Sequence, residues 1–161
     1  MENNQIKIGG PAPDFTLIDA DGAPASLKDY RGKWLVLYFY PRDNTAGCTV
    51  EAIDFSFSVA DFRDLGAEIA GVSPDSCESH KKFALKHELG IRLLSDSEKK
   101  TLTDYGVWQK KKMYGRESMG VVRSTFLIDP EGKVAHAWNK VTVKGHIDEV
   151  LSKLREFARP I

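Results

Sequence analysis

The stretch "KWLVLYFYPRDNTAGC", residues 33–48, determines the central part of the fold. Its first half is a continuous apolar run that ends at Pro41, and such a run is typical of a β-strand covered on both faces. From Cys48 to about Leu65 the residues are compatible with a helix, and Gly66 offers a stop. We therefore predict a strand–helix unit of an α/β protein, with a cysteine in the first turn of the helix.

A second strand–helix unit follows the first. Residues 67–73, "AEIAGVS", predict another buried strand, and residues 75–90 predict a helix with Cys77 in its first turn and Gly90 at its end. Because crossover connections between parallel strands are right-handed, the two strands are expected to be parallel and adjacent. Ligand sites of such sheets lie beyond the carboxyl ends of the strands, so both cysteines are expected at the same edge of the sheet.

The two ends of the chain add further elements. Residues 14–27 predict an antiparallel strand followed by a tight turn, and residues 123–138 predict a hairpin. The final helix presents a stripe of apolar residues between Ile147 and Phe157. Together these elements predict one domain over residues 1–161, with a central mixed sheet flanked by helices on both faces.

The segment between a short predicted helix at 97–105 and this hairpin shows no clear period. It is basic, and "QKKKMYGR" at 109–116 combines charge with an aromatic residue, as nucleic-acid sites do. Since the sequence contains no further basic stripe, we interpret this segment as an irregular, solvated loop beside the functional site, ending near Met119.

The composition limits the classes of function. The 161 residues include 23 Lys and Arg and 23 Asp and Glu, so the net charge gives no reason to expect nucleic acid or an anionic membrane as a partner. The amino terminus lacks a signal-peptide core and the longest apolar run is too short to span a bilayer, so we expect a cytoplasmic protein. In that reducing compartment the two cysteines are expected to be reactive or simply buried.

The position of Cys48 favours a reactive thiol. At a helix N-terminus the sulfur faces unpaired N–H groups and the positive end of the helix dipole, which stabilise a thiolate. Arg42 is near in sequence, and a cation from elsewhere in the chain can add to this effect. The alternative is that Cys48 is a small buried hydrophobic residue, as most cytosolic cysteines are. Position alone leaves both interpretations open.

Residues around Cys48 form a longer pattern. Pro41, Thr45 and Cys48 match P-x-x-x-T-x-x-C, and Arg123 lies far downstream at the start of a predicted strand. With these residues the sequence resembles the peroxiredoxins, specifically the bacterioferritin comigratory protein group, also called the Q type. The resemblance covers essentially the whole chain. Further segments that carry it, in the expected order, are "PAPDFTL", "SLKDYRGK", "GVSPDS", "SHKKF", "KMYG", "RSTFLIDPEGKV" and "HIDEVL".

The resemblance implies a thioredoxin-like α/β fold and reduction of hydroperoxides by a peroxidatic cysteine at Cys48. Pro41, which ends the strand, is expected to shield the thiolate from water. The Thr45 hydroxyl is expected to donate to a peroxide oxygen while it accepts from a backbone amide. Arg123 is expected to hold the thiolate and the developing negative charge of the peroxide together. Glu51, one turn beyond Cys48, either orients an arginine or is a solvated helix charge.

The second thiol departs from the common pattern of the group. Many Q-type proteins carry a resolving cysteine where this chain has Ile53, and others place it further along the helix of Cys77, where Ala84 lies two turns on; Ala46 also stands where the group often has proline. We hypothesise that Cys77 condenses with the sulfenic acid of Cys48 to form an intramolecular disulfide. Bridging needs Cα atoms within about 7 Å, so the first turn around Cys48 is expected to unwind. The alternative is a one-cysteine enzyme that an external thiol resolves.

The resemblance also suggests the partners. The expected substrates are hydrogen peroxide and organic hydroperoxides, and the expected electron donor is thioredoxin or a similar dithiol protein. The sequence leaves open whether the chain is a monomer or a weak homodimer. A competing class is a holdase that uses the same fold without turnover, against which Thr45, Cys48 and Arg123 argue.

No cofactor or metal is expected. The sequence shows no glycine-rich phosphate cradle, no Ser-His-Asp pattern and no nicotinamide, flavin or haem signature. Cys77, His80 and His87 fall close to one helical face, but structural zinc requires four ligands and the sequence offers no further cluster to complete such a site.

Overall fold

The computed structural model describes residues 6–158. The strands are β1 (Thr16–Asp19), β2 (Pro24–Ser26), β3 (Trp34–Phe39), β4 (Ala67–Ser73), β5 (Arg92–Ser95), β6 (Trp108–Met113), β7 (Arg116–Val121), β8 (Ser124–Ile128) and β9 (Val134–Trp138). The helices are α1 (Ala46–Phe57), α2 (Val59–Asp64), α3 (Cys77–His87), α4 (Lys100–Asp104) and α5 (His146–Phe157), and a 3-10 turn occupies Leu27–Tyr30. None of the helices in this part of the chain has the length and apolarity needed to cross a membrane.

Seven strands form one mixed sheet in the order β2-β1-β5-β4-β3-β8-β9. The strands β3 and β4 are parallel neighbours, as predicted, and β5 continues the parallel part on the other side of β4. The strand β8 lies antiparallel to β3, and Phe39 at the end of β3 pairs with Ser124 at the start of β8. This register places Arg123, the residue before Ser124, at the carboxyl end of β3, near the start of the helix α1.

Side chains of β3 alternate between two apolar cores. Leu35, Leu37 and Phe39 face a core that includes residues of α4 and the 3-10 turn. Val36 and Tyr38 face a second core, which α1, α2, α3 and α5 cover. The continuous apolar run of β3 is therefore explained by burial on both faces, and helices flank the sheet on both sides as predicted.

The predicted helix over residues 48–65 differs from the structure in two ways. It begins earlier, at Ala46, and it breaks at Ser58, where α1 ends and α2 starts. The stop at Gly66 is confirmed, because its φ of +79° suits glycine. The end predicted for α3 at Gly90 is wrong, since the helix ends at His87 and Glu88 takes the left-handed conformation, with a φ of 50°.

The basic segment predicted to be irregular is a β-hairpin. The strands β6 and β7 pair antiparallel with each other and form a separate two-stranded sheet. Tyr114 and Gly115 form its two-residue turn, and both have positive φ, 54° and 77°. Asn-Gly and Asp-Gly are the usual sequence signals for such a turn, and Tyr-Gly is a much weaker one. The hairpin is therefore hard to recognise from sequence.

Candidate active site

Cys48 is the third residue of α1 and its residue surface is only 1% exposed. The first amide of this helix that bonds back into the chain is that of Thr49, which donates to the carbonyl oxygen of Thr45 at 2.9 Å. For the preceding amides, those of Ala46, Gly47 and Cys48, no acceptor is found within residues 6–158. The thiol thus lies among free N–H groups at the positive end of the helix, which stabilise negative charge.

Arg123 supplies the cation at this site. It immediately precedes β8, and the pairing of β8 with β3 brings it to the start of α1. Its Nη2 donates to the Cys48 Sγ at 3.3 Å, and its Nη1 donates to Glu51 Oε1 at 2.6 Å. One guanidinium therefore joins the thiol and a carboxylate that lie one helical turn apart on α1.

Glu51 is fully buried and is not a solvated helix charge. Burial raises the pKa of Glu51 to about 7, although the Arg123 guanidinium acts in the opposite direction. Its second oxygen, Oε2, has no hydrogen-bond partner among the described residues. Burial tends to lower the pKa of Arg123, but the nearby Glu51 and Cys48 outweigh it and raise that pKa. Arg123 is therefore a fixed positive charge beside the thiol.

Thr45 and Pro41 lie on the loop that leads into α1. Thr45 is the extended residue before the helix, and its Oγ1 donates to the carbonyl oxygen of Arg42 at 2.9 Å. The predicted bond from a backbone amide to this hydroxyl is not made within the described part of the chain. Pro41 follows β3 and is half-buried. Arg42, which we considered as a source of positive charge, is exposed.

Gly47 contributes to the site in a way that the sequence analysis missed. A β-carbon on this residue would lie 3.2 Å from Arg123 Nη2. Its φ is not positive, so conformational freedom does not explain the glycine. The absence of a side chain lets the guanidinium approach the helix backbone beside the thiol.

The hairpin adds a second cation that was also missed. Lys111 of β6 is half-buried, and its Cδ lies 2.9 Å from the place where a β-carbon on Gly120 would stand. Burial and the charge of Arg123 lower the pKa of Lys111, whereas Cys48 acts to raise it. These influences show that Lys111 lies within electrostatic range of the thiol, so the basic segment is not simply a solvated loop.

Cys77 is the first residue of α3 and follows β4, so both cysteines lie at the same edge of the sheet, as predicted. The two thiols are free. The Cys77 residue is half-buried, and its Sγ lies 3.9 Å from the carbonyl oxygen of Ile18 on β1. Its sulfur therefore points along the sheet edge toward β1.

Polar residues follow β3 and β4 at the same edge. Ligand atoms of Asp43, Asp75 and His80 lie within 4.8 Å of one another. In residues 6–158 these three residues form the group that could hold a metal ion. The set weighed in the sequence analysis, Cys77, His80 and His87, does not form one within this range. Asp43 and His80 hydrogen-bond to each other, and Asp75 Oδ2 accepts from the Asp43 amide and the Ser73 hydroxyl.

Comparison with known proteins defines the class to which this geometry belongs. The model of the AhpC/TSA family matches residues 8–137, and the chain belongs to that family. Peroxiredoxin Bcp of Bacillus subtilis (strain 168) is 50% identical over 153 residues, which are 95% of this chain and 98% of the relative. Peroxiredoxin Bcp of Escherichia coli (strain K12) is 37% identical over 96% of this chain and 99% of the relative.

Solved structures agree with these relatives. The bacterioferritin comigratory protein of Xanthomonas campestris, studied for its alkyl peroxide reduction activity, matches with a TM-score of 0.87 and 42% identity over 90% of this chain and 92% of that chain. A cysteine-to-serine mutant of Xylella fastidiosa PrxQ matches with a TM-score of 0.91 and 37% identity over 96% of this chain and 98% of that chain. The fold is therefore thioredoxin-like and the chain is a peroxiredoxin of the Bcp and Q-type group, a thiol peroxidase, which confirms the predicted fold and enzyme class.

Proposed function

We propose that Cys48 is the peroxidatic nucleophile and that the enzyme reduces hydrogen peroxide and organic hydroperoxides. The observation that carries this assignment is the position of the Arg123 guanidinium. It donates one hydrogen bond to the Cys48 sulfur and another to the buried Glu51. A buried thiol at a free helix N-terminus with an arginine bonded to its sulfur is a site for a nucleophilic thiolate.

In the first step the Cys48 thiolate attacks one peroxide oxygen. A sulfur–oxygen bond forms, the O–O bond breaks, the sulfur is oxidised to sulfenic acid, and the second oxygen leaves as an alcohol or water after it takes up a proton. The sequence predicted that the Thr45 hydroxyl donates to the peroxide, but its hydrogen is directed to the Arg42 carbonyl, so its oxygen is free to accept a hydrogen bond from the peroxide O–H instead. Arg123 and the free amides stabilise the charge that develops on the reacting oxygens. Pro41 shields the thiolate from water.

Stabilising the thiolate does not by itself explain fast reduction. A shift of a thiol pKa from about 8.5 to about 6 raises the thiolate fraction at pH 7 only roughly thirtyfold, and the nucleophilicity falls in parallel. Orientation of the O–O bond toward the sulfur and stabilisation of the leaving oxygen must supply the rest. This is the role that we assign to Arg123 and Thr45.

In the second step Cys77 acts as the resolving cysteine. Its thiol attacks the sulfenic sulfur of Cys48, a disulfide forms and one water leaves, so that no further oxidant is needed. Two observations support this assignment: the chain has two cysteines, and both follow neighbouring parallel strands. An external thiol is the alternative resolving group.

We propose thioredoxin, or a similar dithiol protein, as the reductant of this disulfide, and the cytoplasm as the compartment. No bound cofactor is required, because sulfur carries the electrons in every step. All proposed site residues lie on the helices and connecting segments that follow or precede strands of one sheet, which supports a single domain over residues 1–161. We propose a monomer or weak homodimer.

Steady-state peroxide consumption with thioredoxin and its reductase tests these assignments. Wild type is expected to turn over, Cys48→Ser to be inactive, and Cys77→Ser to react once with peroxide but to lose turnover that thioredoxin supports. Equal peroxide consumption by wild type and Cys48→Ser would refute the assignment of Cys48 as the nucleophile. Consumption by neither protein would leave the holdase as the function of this fold.

A further inference from the structure

The loop between β3 and α1 is tied to the helix of Cys77 through one residue, Asp43. Its backbone amide donates to Asp75 Oδ2 at 2.7 Å. Its carboxylate accepts from the Tyr40 hydroxyl at 2.6 Å, from the Ser79 hydroxyl at 2.7 Å and from His80 Nδ1 at 2.8 Å. These bonds lie outside the peroxide site described above, and those to Asp75, Ser79 and His80 connect segments that are more than 30 residues apart in sequence.

Both ring nitrogens of the histidine in this cluster make hydrogen bonds. Nε2 of His80 lies 2.9 Å from the carbonyl oxygen of Leu94, which can only accept, and Nδ1 faces the Asp43 carboxylate. Burial acts to raise the pKa of Asp43, but the bonds from His80, Tyr40 and Ser79 outweigh it and lower that pKa. Asp43 and His80 therefore form a buried hydrogen-bonded pair, 5% and 0% exposed. Removing a donor from this pair leaves a buried carboxylate with fewer hydrogen-bond partners, which is strongly unfavourable.

The position of this pair relates it to both thiols. Asp43 lies two residues before Thr45 and five before Cys48, on the loop that sets their positions. Ser79 and His80 lie in the first turns of α3, two and three residues after Cys77. The bonds therefore fasten the start of one cysteine-bearing helix to the start of the other.

We propose that Asp43 is a positioning residue that clamps the loop before Cys48 onto the helix of Cys77, and that release of this clamp sets how fast the sulfenic acid of Cys48 reaches Cys77. The second part of this proposal, which concerns the rate of disulfide formation, is its kinetic half. It deepens the assignment of Cys77 as the resolving cysteine and rests on it. With the clamp closed, Thr45, Cys48 and Arg123 keep the geometry that reacts with peroxide.

Geometry explains why the clamp must open. Cys48 is buried inside the first turn of α1, and the Cys77 sulfur points toward Ile18 on another strand. A disulfide requires Cα atoms within about 7 Å and a matching direction of both side chains. The loop held by Asp43 is the segment that has to move for the bond to form. While it stays closed, the sulfenic acid remains exposed to a second peroxide, which oxidises it to sulfinic acid and leaves as water or alcohol.

Two serines at the start of α3, Ser76 before the helix and Ser79 in its first turn, give a matched test. The Ser79 hydroxyl bonds Asp43, whereas the Ser76 side chain accepts from the Ser79 amide and caps the helix without touching the loop. Ser79→Ala and Ser76→Ala each remove one hydroxyl, and the loss of the cap weakens the same helix. Asp43→Asn removes the charge at the centre of the cluster while keeping its size.

Hydrogen exchange of the reduced proteins reports the opening of residues 42–50 directly. We expect opening about tenfold or more faster in Ser79→Ala than in wild type, a larger effect in Asp43→Asn, and a wild-type value in Ser76→Ala. After one equivalent of hydrogen peroxide, the first two variants are expected to form the disulfide faster. Under excess peroxide they are expected to accumulate less sulfinic acid.

The outcomes separate the clamp from the assignment of Cys77. If Ser79→Ala and Asp43→Asn open no faster than Ser76→Ala, the clamp is refuted. Faster opening with an unchanged rate of disulfide formation would refute the kinetic half alone. If wild type forms no internal disulfide, Cys77 is not the resolving cysteine and the kinetic half falls with it, while hydrogen exchange still decides whether Asp43 holds the loop.

Discussion

Gly47 and Arg123 approach each other so closely that a β-carbon on the glycine would lie 3.2 Å from the guanidinium Nη2. The same nitrogen donates to the Cys48 sulfur at 3.3 Å. The glycine of the "TAGC" segment therefore sets how near the cation can come to the thiol. In this way a backbone feature of α1 determines the electrostatics of the nucleophile.

Gly47→Ala is expected to slow the reaction with peroxide about tenfold, because a displacement of a few tenths of an ångström misaligns Arg123. The folded protein is not expected to lose stability, since alanine is the better helix residue by about 1 kcal/mol. Stopped-flow rates with hydrogen peroxide and a thermal unfolding midpoint check both statements. Gly90→Ala is the control, because a β-carbon on Gly90 would lie 4.0 Å from the nearest atom, Val59 Cγ2. An unchanged rate in Gly47→Ala would show that Arg123 tolerates the added methyl group.

Arg123→Ala is expected to reduce the second-order rate with peroxide by about 10²–10³-fold, as removal of an oxyanion donor does. The loss should exceed the accompanying fall in thiolate fraction, measured by the ultraviolet absorbance of the thiolate. Arg63→Ala is the control, because Arg63 is an exposed arginine that pairs with Glu68 far from the thiol. Rates that simply follow the thiolate fraction would contradict the proposed role of Arg123.

Thr45→Val is expected to slow the same step by about 10²-fold, because it removes the oxygen that accepts from the peroxide. Thr45→Ser should restore most of the rate. Thr49→Val provides a comparison one turn away, since the Thr49 hydroxyl only donates to the carbonyl oxygen of Thr45. Equal rates for Thr45→Val and Thr49→Val would remove Thr45 from the mechanism.

The raised pKa of Glu51 predicts that the free energy of unfolding depends on pH. Its pKa rises from 4.5 to about 7 on folding, so between these values the folded protein holds a proton that the unfolded chain has released. The contribution of this carboxyl is therefore complete below pH 4.5 and is lost as the pH rises through about 7, with an amplitude on the order of 3 kcal/mol. The free energy of unfolding of wild type relative to Glu51→Gln should fall over this range in denaturant titrations. A difference that is flat or increases with pH would contradict the burial argument.

Much of the fold follows from local pattern. The strands β3 and β4 are found where continuous apolar runs predict them, because both faces of each are buried. The hairpin of β6 and β7 was missed because its turn, Tyr114-Gly115, carries a weak signal and its side chains are mostly exposed.

Local sequence motifs predict only part of the site. Cys48, Thr45 and Arg123 could be chosen because the motif and its resemblance single them out. The roles of Gly47 and Asp43 depend on what the fold brings against them: a guanidinium from the start of β8, and a histidine 37 residues away on α3. No periodicity or short motif reports such contacts, so they had to come from the structure.

The most direct test of the account is the intact mass of the reduced protein after one equivalent of hydrogen peroxide, with wild type and Cys77→Ser side by side. We predict that wild type loses two hydrogens, and that the variant instead gains one oxygen or forms linked dimers. That result would establish Cys48 and Cys77 as the intramolecular couple. If wild type itself gains oxygen and forms no internal disulfide, the claim is contradicted, and the enzyme is a one-cysteine peroxidase that an outside thiol resolves.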